Sequence, residues 1–279
     1  MKIELYNEIL STINGFKRIN IECIEVLEQK FPKVKHGTLN SIFSSEVQKW
    51  TKSKFAKAQD SANEIYNKYK QSIQSGAVPG VIMRLADEYE LPYSLTAKII
   101  LTKHVVEGQG DANNDNHTMQ LVKKQLRNTT LINDKQLAYE VFLCTTFDDQ
   151  YSPTSEIIRM SLGQQYEIKL YKQMEKCGIV FRTEEYMRKF GFDKTPDVKL
   201  EIPIVVDGFI IHWIESKARF ADSEIHQDYL KNQYISYWNR FGPGLIIYWF
   251  GYLDDLTDSD EKRFIIRDRL PTNILKLNK

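Results

Sequence analysis

The sequence predicts a mixed three-layer α/β domain in its C-terminal part, preceded by an all-α region that contains helix-turn-helix units. Three observations lead there. Residues 198–217 alternate apolar and polar side chains on either side of Asp207-Gly208, the pattern of two strands joined by a tight turn. LIIYWFGYL at 245–253 is a continuous apolar run, as expected of a strand covered on both faces. Within residues 1–105, a helical period is twice followed by a short break and a second helical period.

The elements follow in order. Ile21–Lys30 carries Ile21, Ile24 and Leu27 at helical spacing and breaks at Phe31-Pro32. A second helix is expected from Gly37 to Trp50 with Leu39, Ile42 and Phe43 inward, then a long polar helix from Ser53 to Gln74. GAVPG marks a turn. After it comes a helix, a turn at Glu90–Tyr93 and another helix with Ser94 as its N-cap. Glu107–His117 is rich in Gly, Asn and Asp and reads as a surface loop, and 118–148 is helical again with Met119, Leu121, Val122, Leu137, Val141 and Phe142 as its apolar positions. The grammar changes near Pro153. A helix over 154–177, a strand at Ile179–Arg182, the hairpin, a helix from an Asp222 or Ser223 N-cap to Arg240, and the apolar strand complete the order. The expected divisions are 1–106 (helical, nucleic-acid-binding), 107–152 (linker and connecting helices) and 153–279 (the α/β domain).

Composition sets bounds. At 279 residues and 42% hydrophobic, the chain can bury a sizeable core. No apolar run approaches membrane-spanning length, and MKIELYNEIL has no signal-peptide character. Cys23, Cys144 and Cys177 are far apart and odd in number, which suits a reduced intracellular compartment. Net charge is only +1, but between Lys30 and Lys57 stand seven basic residues and one acid, Glu46. A phosphate-binding surface needs such clustering, although a solvated helix face has it too. The first helix-turn-helix unit carries the cluster. Lys33, Lys35, His36, Lys49 and Lys52 are therefore the candidate nucleic-acid contacts, with Thr38, Asn40 and Ser41 in reach of phosphates or base edges. A helical bundle that packs only on its neighbour would show the same turns.

The chemistry concentrates in TPDVKLEIPIVVDGFIIHWIESKA, 195–218. Glu215 and Lys217 are two apart on a strand and share a face with Phe209, Ile211 and Trp213. The hairpin returns Asp197 to their neighbourhood. Two carboxylates at the end of a strand pair make a hard-oxygen site for Mg²⁺, and a Lys beside them can position water or offset phosphate charge. A Lys217–Asp197 salt bridge on a solvated face has the same spacing. The register sets a condition. With a strict two-residue Asp207-Gly208 turn, paired residues sum to 415, and Asp197 lies opposite Ala218 on the wrong face. A shared site requires an odd-length loop, a bulge, or Asp197 just before the regular strand. His212 faces away from Glu215 and reads as packing, and His226 reads as a surface residue.

Pro196-Asp197 followed by Glu215-Ser216-Lys217 matches the pattern of the PD-(D/E)XK nuclease superfamily. Within it, DKTPD (193–197), IHWIESKA (211–218) and YWNRFGPGLIIYW (237–249) resemble the TPD-motif family of the codanin-interacting nuclease, over nearly the whole chain. The resemblance implies a PD-(D/E)XK core with a mixed central sheet flanked by helices, and metal-dependent hydrolysis of DNA. Asp197 and Glu215 would then bind Mg²⁺, with Mn²⁺ as a substitute, and Lys217 would assist the attacking water. Glu167, on an inward stripe with Met160, Gly163, Leu170 and Met174, would be a further metal ligand. Gln233 and Tyr237, four apart on the following helix, would orient the Lys or touch substrate, or else form a half-buried polar pair. Arg240 is a candidate phosphate contact. A codanin-like partner and a nuclear location, with the cytoplasm as a second site, are also implied. The alternative is a non-catalytic nuclease-like module that binds DNA or protein.

Overall fold

The computed structural model describes residues 1–16, 22–109, 115–257, 261 and 263–276. Its helices are α1 (Ile3–Asn14), α2 (Glu22–Lys30), α3 (His36–Asp60), α4 (Ala62–Gln74), α5 (Val81–Glu88), α6 (Tyr93–Gln109), α7 (Asp115–Arg127) and α8 (Lys135–Phe147). Then follow α9 (Pro153–Lys176), β1 (Phe181–Thr183), α10 (Glu184–Lys189), β2 (Val198–Val206), β3 (Phe209–Lys217) and α11 (Ser223–Tyr229). A π-turn at Leu230–Tyr234 leads into α12 (Ile235–Phe241), β4 (Gly244–Tyr248), β5 (Phe264–Arg267) and β6 (Ile274–Lys276). Ile21 and residues 110–114 of the expected loop lie outside the described residues. No helix is long and apolar enough to cross a membrane among the described residues.

Two compact units emerge: Met1–Phe43 with Met160–Lys279, and Ser44–Arg159. The divisions expected at 106 and 152 are not the boundaries of these units. The start of the chain belongs to the sheet because its polar groups are spent there. Tyr6 donates to Asp222 Oδ2 at 2.7 Å, and its ring stacks on Phe220. Thr38 Oγ1 donates to the Phe250 carbonyl at 2.7 Å, and Ser41 Oγ accepts from the Phe220 N–H at 2.8 Å. Both residues, expected to face phosphates, are committed to packing instead.

The second unit is helical around Ile65, Ile82, Ile100, Leu101, Leu137 and Val141. Several expectations change there. The helix expected to end at Trp50 runs on to Asp60, since nothing between Thr51 and Ser53 breaks it. The helix over 118–148 is two, separated by Asn128–Asp134, and Asp134 caps α8 by accepting from Gln136 N and Leu137 N. Of the apolar positions that marked this helical segment, Met119 and Phe142 are exposed. Ser94 lies inside the first turn of α6 rather than at its N-cap: its N–H donates to Asp148 Oδ2 at 2.8 Å, and its hydroxyl donates to the Cys144 carbonyl at 3.5 Å. Buried Glu140 accepts from Gly80 N and Ile82 N, which places a carboxylate at the N-terminus of α5.

The first unit is a mixed sheet in the order β1-β2-β3-β4-β5, with β6 also paired to β2. The pairs β1·β2, β2·β3 and β2·β6 are antiparallel, whereas β3·β4 and β4·β5 are parallel. On one face, Leu170 and Met174 of α9 pack against Ile214, Leu245 and Ile247. On the other, Tyr234 and Tyr237 pack against Trp213, Ile246 and Tyr248. This is the helix–sheet–helix layering expected, with α10, β5 and β6 as elements too short for periodicity to reveal. The first strand starts at Phe181 rather than Ile179. The apolar run at 245–253 stops being strand after Tyr248, because the chain turns toward Gly251 at φ +92°. Gly244 sits opposite Trp213 in the β3·β4 ladder, where a Cβ would lie 2.1 Å from the indole. Only glycine lets the two strands close over that ring.

Candidate active site

The β2·β3 hairpin has two registers. Near the turn, Val206 pairs with Phe209 and Ile204 with Ile211, so paired residues sum to 415. Asp207 and Gly208 both have positive φ, +50° and +86°, as a two-residue I′-type turn requires. At the far end, Lys199 pairs with Trp213 and Val198 with Ile214, and the sum is 412. The irregularity between Lys199 and Ile204 places three extra residues in β2. Pro203 lies inside it and has no N–H to give a ladder, and Glu201 and Ile202 are exposed. An odd insertion inverts the facing of everything beyond it. Asp197, just before β2, thereby comes opposite Glu215, on the same face. Two of the three conditions set by the sequence are met together.

The face itself needs correction. Phe209 and Ile211 pack in the α9 layer, whereas Trp213 packs with Tyr234 and Tyr237. The apolar stripe changes sides within β3, and Glu215 and Lys217 continue from Trp213 alone.

At the far end the polar groups are tightly joined. Asp197 N donates to Glu215 Oε2 at 3.2 Å, and Ser216 N donates to Asp197 Oδ2 at 2.7 Å. Lys217 Nζ donates to Glu215 Oε1 at 2.6 Å and lies 4.7 Å above the Tyr229 ring. The sequence's alternative salt bridge, Lys217 to Asp197, is replaced by Lys217 to Glu215, and Glu215 is buried rather than solvated. Asp197 Oδ1 takes part in no hydrogen bond among the described residues.

Burial and the nearby Glu215 hold the Asp197 carboxyl well above the usual carboxylate range, opposed by Lys217 and the Ser216 N–H. Glu215 is raised by burial against the pull of Lys217. Burial would lower Lys217, but Glu215 and Asp197 more than reverse this and keep the ammonium charged. Half-buried Glu167, on α9, is raised by burial and by the charges of Glu184 and Glu215. Negative charge thus exceeds what Lys217 neutralises. A divalent cation fits that deficit and the free oxygen of Asp197. Among the described residues, no group of three or more His, Cys, Asp or Glu side chains stands ready to hold a metal ion, so the carboxylates on offer here are Asp197 and Glu215.

Other candidates fall around this centre or away from it. Tyr237 is buried edge-on to Trp213, and its hydroxyl is raised by burial and then by Glu215 and Asp197. Gln233 lies in the π-turn, a departure common at functional sites, and its Oε1 is buried without a partner. Arg240 is held by Asp193 Oδ1 at 2.6 Å and the Lys194 carbonyl at 3.0 Å, bracing the loop that leads into Asp197. Lys33, Lys35 and exposed His36, which pairs with Glu28, belong to the sheet unit, whereas Lys49, paired with Glu46, and Lys52 belong to the helical unit. His226 corrects the reading of a surface residue. It is buried, with Nδ1 3.0 Å from the Tyr248 hydroxyl, which in turn lies 3.0 Å from that of Tyr234.

Glu184 escaped sequence reasoning. Its N–H donates to the Asp197 carbonyl at 3.1 Å, and its Oε1 accepts from Thr195 Oγ1 at 3.2 Å and from Arg188 at 2.7 Å. Thr183, whose hydroxyl caps α10, was the available signal, but six residues show no period. The Thr of the Thr-Pro-Asp run gains a role here: it ties the Asp197 loop to α10.

Residues 133–270 match the model of a family described as "Protein of unknown function TPD sequence-motif". Proteins named CDAN1-interacting nuclease 1 are similar over most of the chain. The Xenopus laevis protein is 35% identical over 98% of this chain and 89% of its own length. The human protein is 37% identical, and the mouse protein 38%, over 92% of this chain and 90% of theirs. No solved structure matches the chain.

Proposed function

Because the chain belongs to the CDAN1-interacting nuclease family, we propose that it is a metal-dependent nuclease of the PD-(D/E)XK type that hydrolyses phosphodiester bonds in DNA. One observation carries the reading: the three-residue irregularity in β2 that turns Asp197 onto the face of Glu215 and Lys217. A regular hairpin would have been the simpler fold, and it would have separated them.

Asp197 and Glu215 would hold Mg²⁺, or Mn²⁺ in its place, with Glu167 on their flank. Bound there, the ion supplies Lewis-acid polarisation of the phosphate and a more acidic water. Mg²⁺ commonly takes one or two protein carboxylates and completes its shell with water and substrate phosphate oxygens, so a two-carboxylate site is sufficient in principle. The chain's own groups do the rest. Lys217 is kept protonated, so it serves as a donor that orients the attacking water and offsets charge at the phosphate, not as a base. The Ser216 N–H fixes the rotamer of Asp197. Gln233 offers an unused acceptor, and Tyr237 a hydroxyl held neutral, both toward the ammonium or the substrate. Lys33, Lys35, His36, Lys49 and Lys52 remain candidate nucleic-acid contacts, and the two helix–turn–helix segments, α2–α3 and α5–α6, candidate DNA-binding units. A codanin-like partner, suggested by the relatives' names, and residence in the nucleus and cytoplasm complete the reading.

The second reading is a non-catalytic nuclease-like module that binds DNA or protein. Cutting assays with and without Mg²⁺, on duplex, single-stranded, flapped and branched DNA, separate the two. Asp197→Ala and Lys217→Ala are expected to bind substrate normally and to lose about a thousandfold or more in cutting rate. Wild-type protein that cuts none of these substrates would overturn the nuclease reading.

A further inference from the structure

The lysines of α9 were not among the candidate nucleic-acid contacts, yet three of them form an exposed run of positive charge along one side of the helix. Lys169, Lys172 and Lys176 recur at helical spacing on its exposed side, away from Leu170 and Met174. Together they line one concavity along the helix. It shares Tyr166, Lys169 and Gln173 with a second cavity of about 290 Å³, which Lys35 and Arg269 also enter beside the start of α3.

A row of lysines is usually only a solvated helix face. Three features distinguish this one. Several cations elsewhere on the same unit are neutralised: Arg182 by Glu201, Arg188 by Glu184, Lys189 by Glu185, Arg240 by Asp193, Arg263 by Glu261, Arg267 by Asp207 and Arg269 by Asp268. Lys35, Lys169, Lys172 and Lys176 pair with no carboxylate among the described residues. Next, Lys169 is positioned rather than waving in solvent, with its ammonium 5.0 Å above the Tyr166 ring and 4.5 Å above that of Trp249. Finally, Gln173 Oε1 is buried, has no partner, and belongs to a side chain that lines both cavities. A buried acceptor left unsatisfied calls for a donor from outside the chain, such as a base amino group or a sugar hydroxyl.

We propose that the Lys169–Lys172–Lys176 face of α9, continued by Lys35, is a backbone track for the nucleic-acid substrate. Unpaired cations spaced along a groove suit a chain of phosphates, which releases its counterions on binding. The same helix carries Glu167 on its opposite, inward side, so one rigid element serves both the catalytic centre and the substrate's path. This rests on the nuclease reading, and the test separates the two.

The test is fluorescence anisotropy of a labelled single strand and its duplex in EDTA, where cutting is silent, over a range of KCl concentrations. Wild-type full chain is compared with K169Q/K172Q/K176Q, with the charge-preserving K169R/K172R/K176R, and with K123Q/K124Q on α7 as a lysine-neutralising control on the other unit. The Gln triple variant is expected to bind at least tenfold more weakly. Its slope of log affinity against log salt should fall by about 2 to 3, as the loss of three phosphate contacts requires. The Arg variant and the α7 control should remain close to wild type. The track is overturned if the Gln variant, still melting like wild type, keeps its affinity and slope, or if the α7 control loses as much. It is also overturned if poly-glutamate binds the face and DNA does not. Wild type that cuts DNA while the Gln variant binds unchanged sinks the track alone. Wild type that neither binds nor cuts sinks both proposals.

Discussion

The two ends of the β2·β3 hairpin are built from one sequence and obey different rules. At the turn end, Val205 and Val206 pair with Ile210 and Phe209 in strict register, and the φ-positive Asp207-Gly208 pair closes the loop. The groups there are placed by backbone pairing, by burial of Val206 and by the ion pair of Asp207 with Arg267. At the other end, three extra residues have been admitted, a Pro interrupts the ladder, and two carboxylates are brought face to face with burial raising both. The turn end is what a hairpin does for stability. The far end is arranged at the expense of stability, which is the usual mark of a site. A change at each end should therefore fail differently.

The largest contrast comes from Asp197→Asn. The amide oxygen can still accept from the Ser216 N–H, but the charge is gone. Cutting is expected to fall about a thousandfold or more. At neutral pH the melting temperature should rise by a few degrees. The sign follows from the raised pKa: a carboxyl that holds its proton more tightly when folded contributes stability at low pH and loses it as pH rises through its folded pKa. Above the unfolded carboxyl's ordinary range the buried group therefore costs stability, and Asn removes that cost. Thermal melts of wild type and variant from pH 4 to pH 8 should converge toward the acid end. A variant less stable than wild type at every pH would mean that Asp197 is a structural ligand and the far end no different in kind from the turn.

Much of this arrangement was legible in the residues. Alternation about Asp207-Gly208 announced the hairpin, and the parity of the count required an odd-length loop, a bulge or a late strand start if Asp197 was to share a face with Glu215 and Lys217. The irregularity itself was also written there, as Pro203 in a strand that is not an edge along its whole length, paired with β3 on one side and with β1 and β6 on the other. Other features left no trace. The switch of faces between Ile211 and Trp213 keeps an apolar residue at each position, so the stripe reads as continuous although its members belong to different layers. Glu184 sits on a helix too short to show a period, and its approach to Asp197 depends on tertiary closure of the Thr195 loop. Thr38 and Ser41 look like any polar residues on a basic helix until the sheet unit supplies their partners.

Gly208→Ala tests the turn end. Its φ of +86° is a conformation that an L side chain adopts only under strain, although a Cβ would meet nothing within 4 Å. The cost should be backbone alone, about 1 kcal/mol, or a fall of about 2 to 4 °C in Tm. Cutting rates at a temperature where both proteins are folded should be unchanged. A loss of cutting without loss of fold would show that the register at the far end is set from the turn and not by the irregularity in β2.

The smallest effect concerns the layer beneath the far end. His226 is buried against Tyr248, the residue paired with Lys217 across β4. Burial lowers its pKa below the ordinary value, with Glu261 opposing in part. The unfolded chain therefore takes up this proton at higher pH than the folded one. The stability contributed by the neutral ring is complete above about pH 6.5 and is lost as pH falls through that value toward the lowered folded pKa. This trend is opposite to that of Asp197, so wild-type melts alone would blend the two. The difference between wild type and His226→Gln isolates it: on going from pH 7.5 to pH 5.5, wild type should lose about 2 °C more than the variant. Amide exchange should place that loss in β4 and α11, with the amides around Asp207-Gly208 unaffected. Equal acid sensitivity in both proteins would mean that the Tyr234–Tyr248–His226 chain accepts the extra proton without opening, and that the far end is softened by its carboxylates alone.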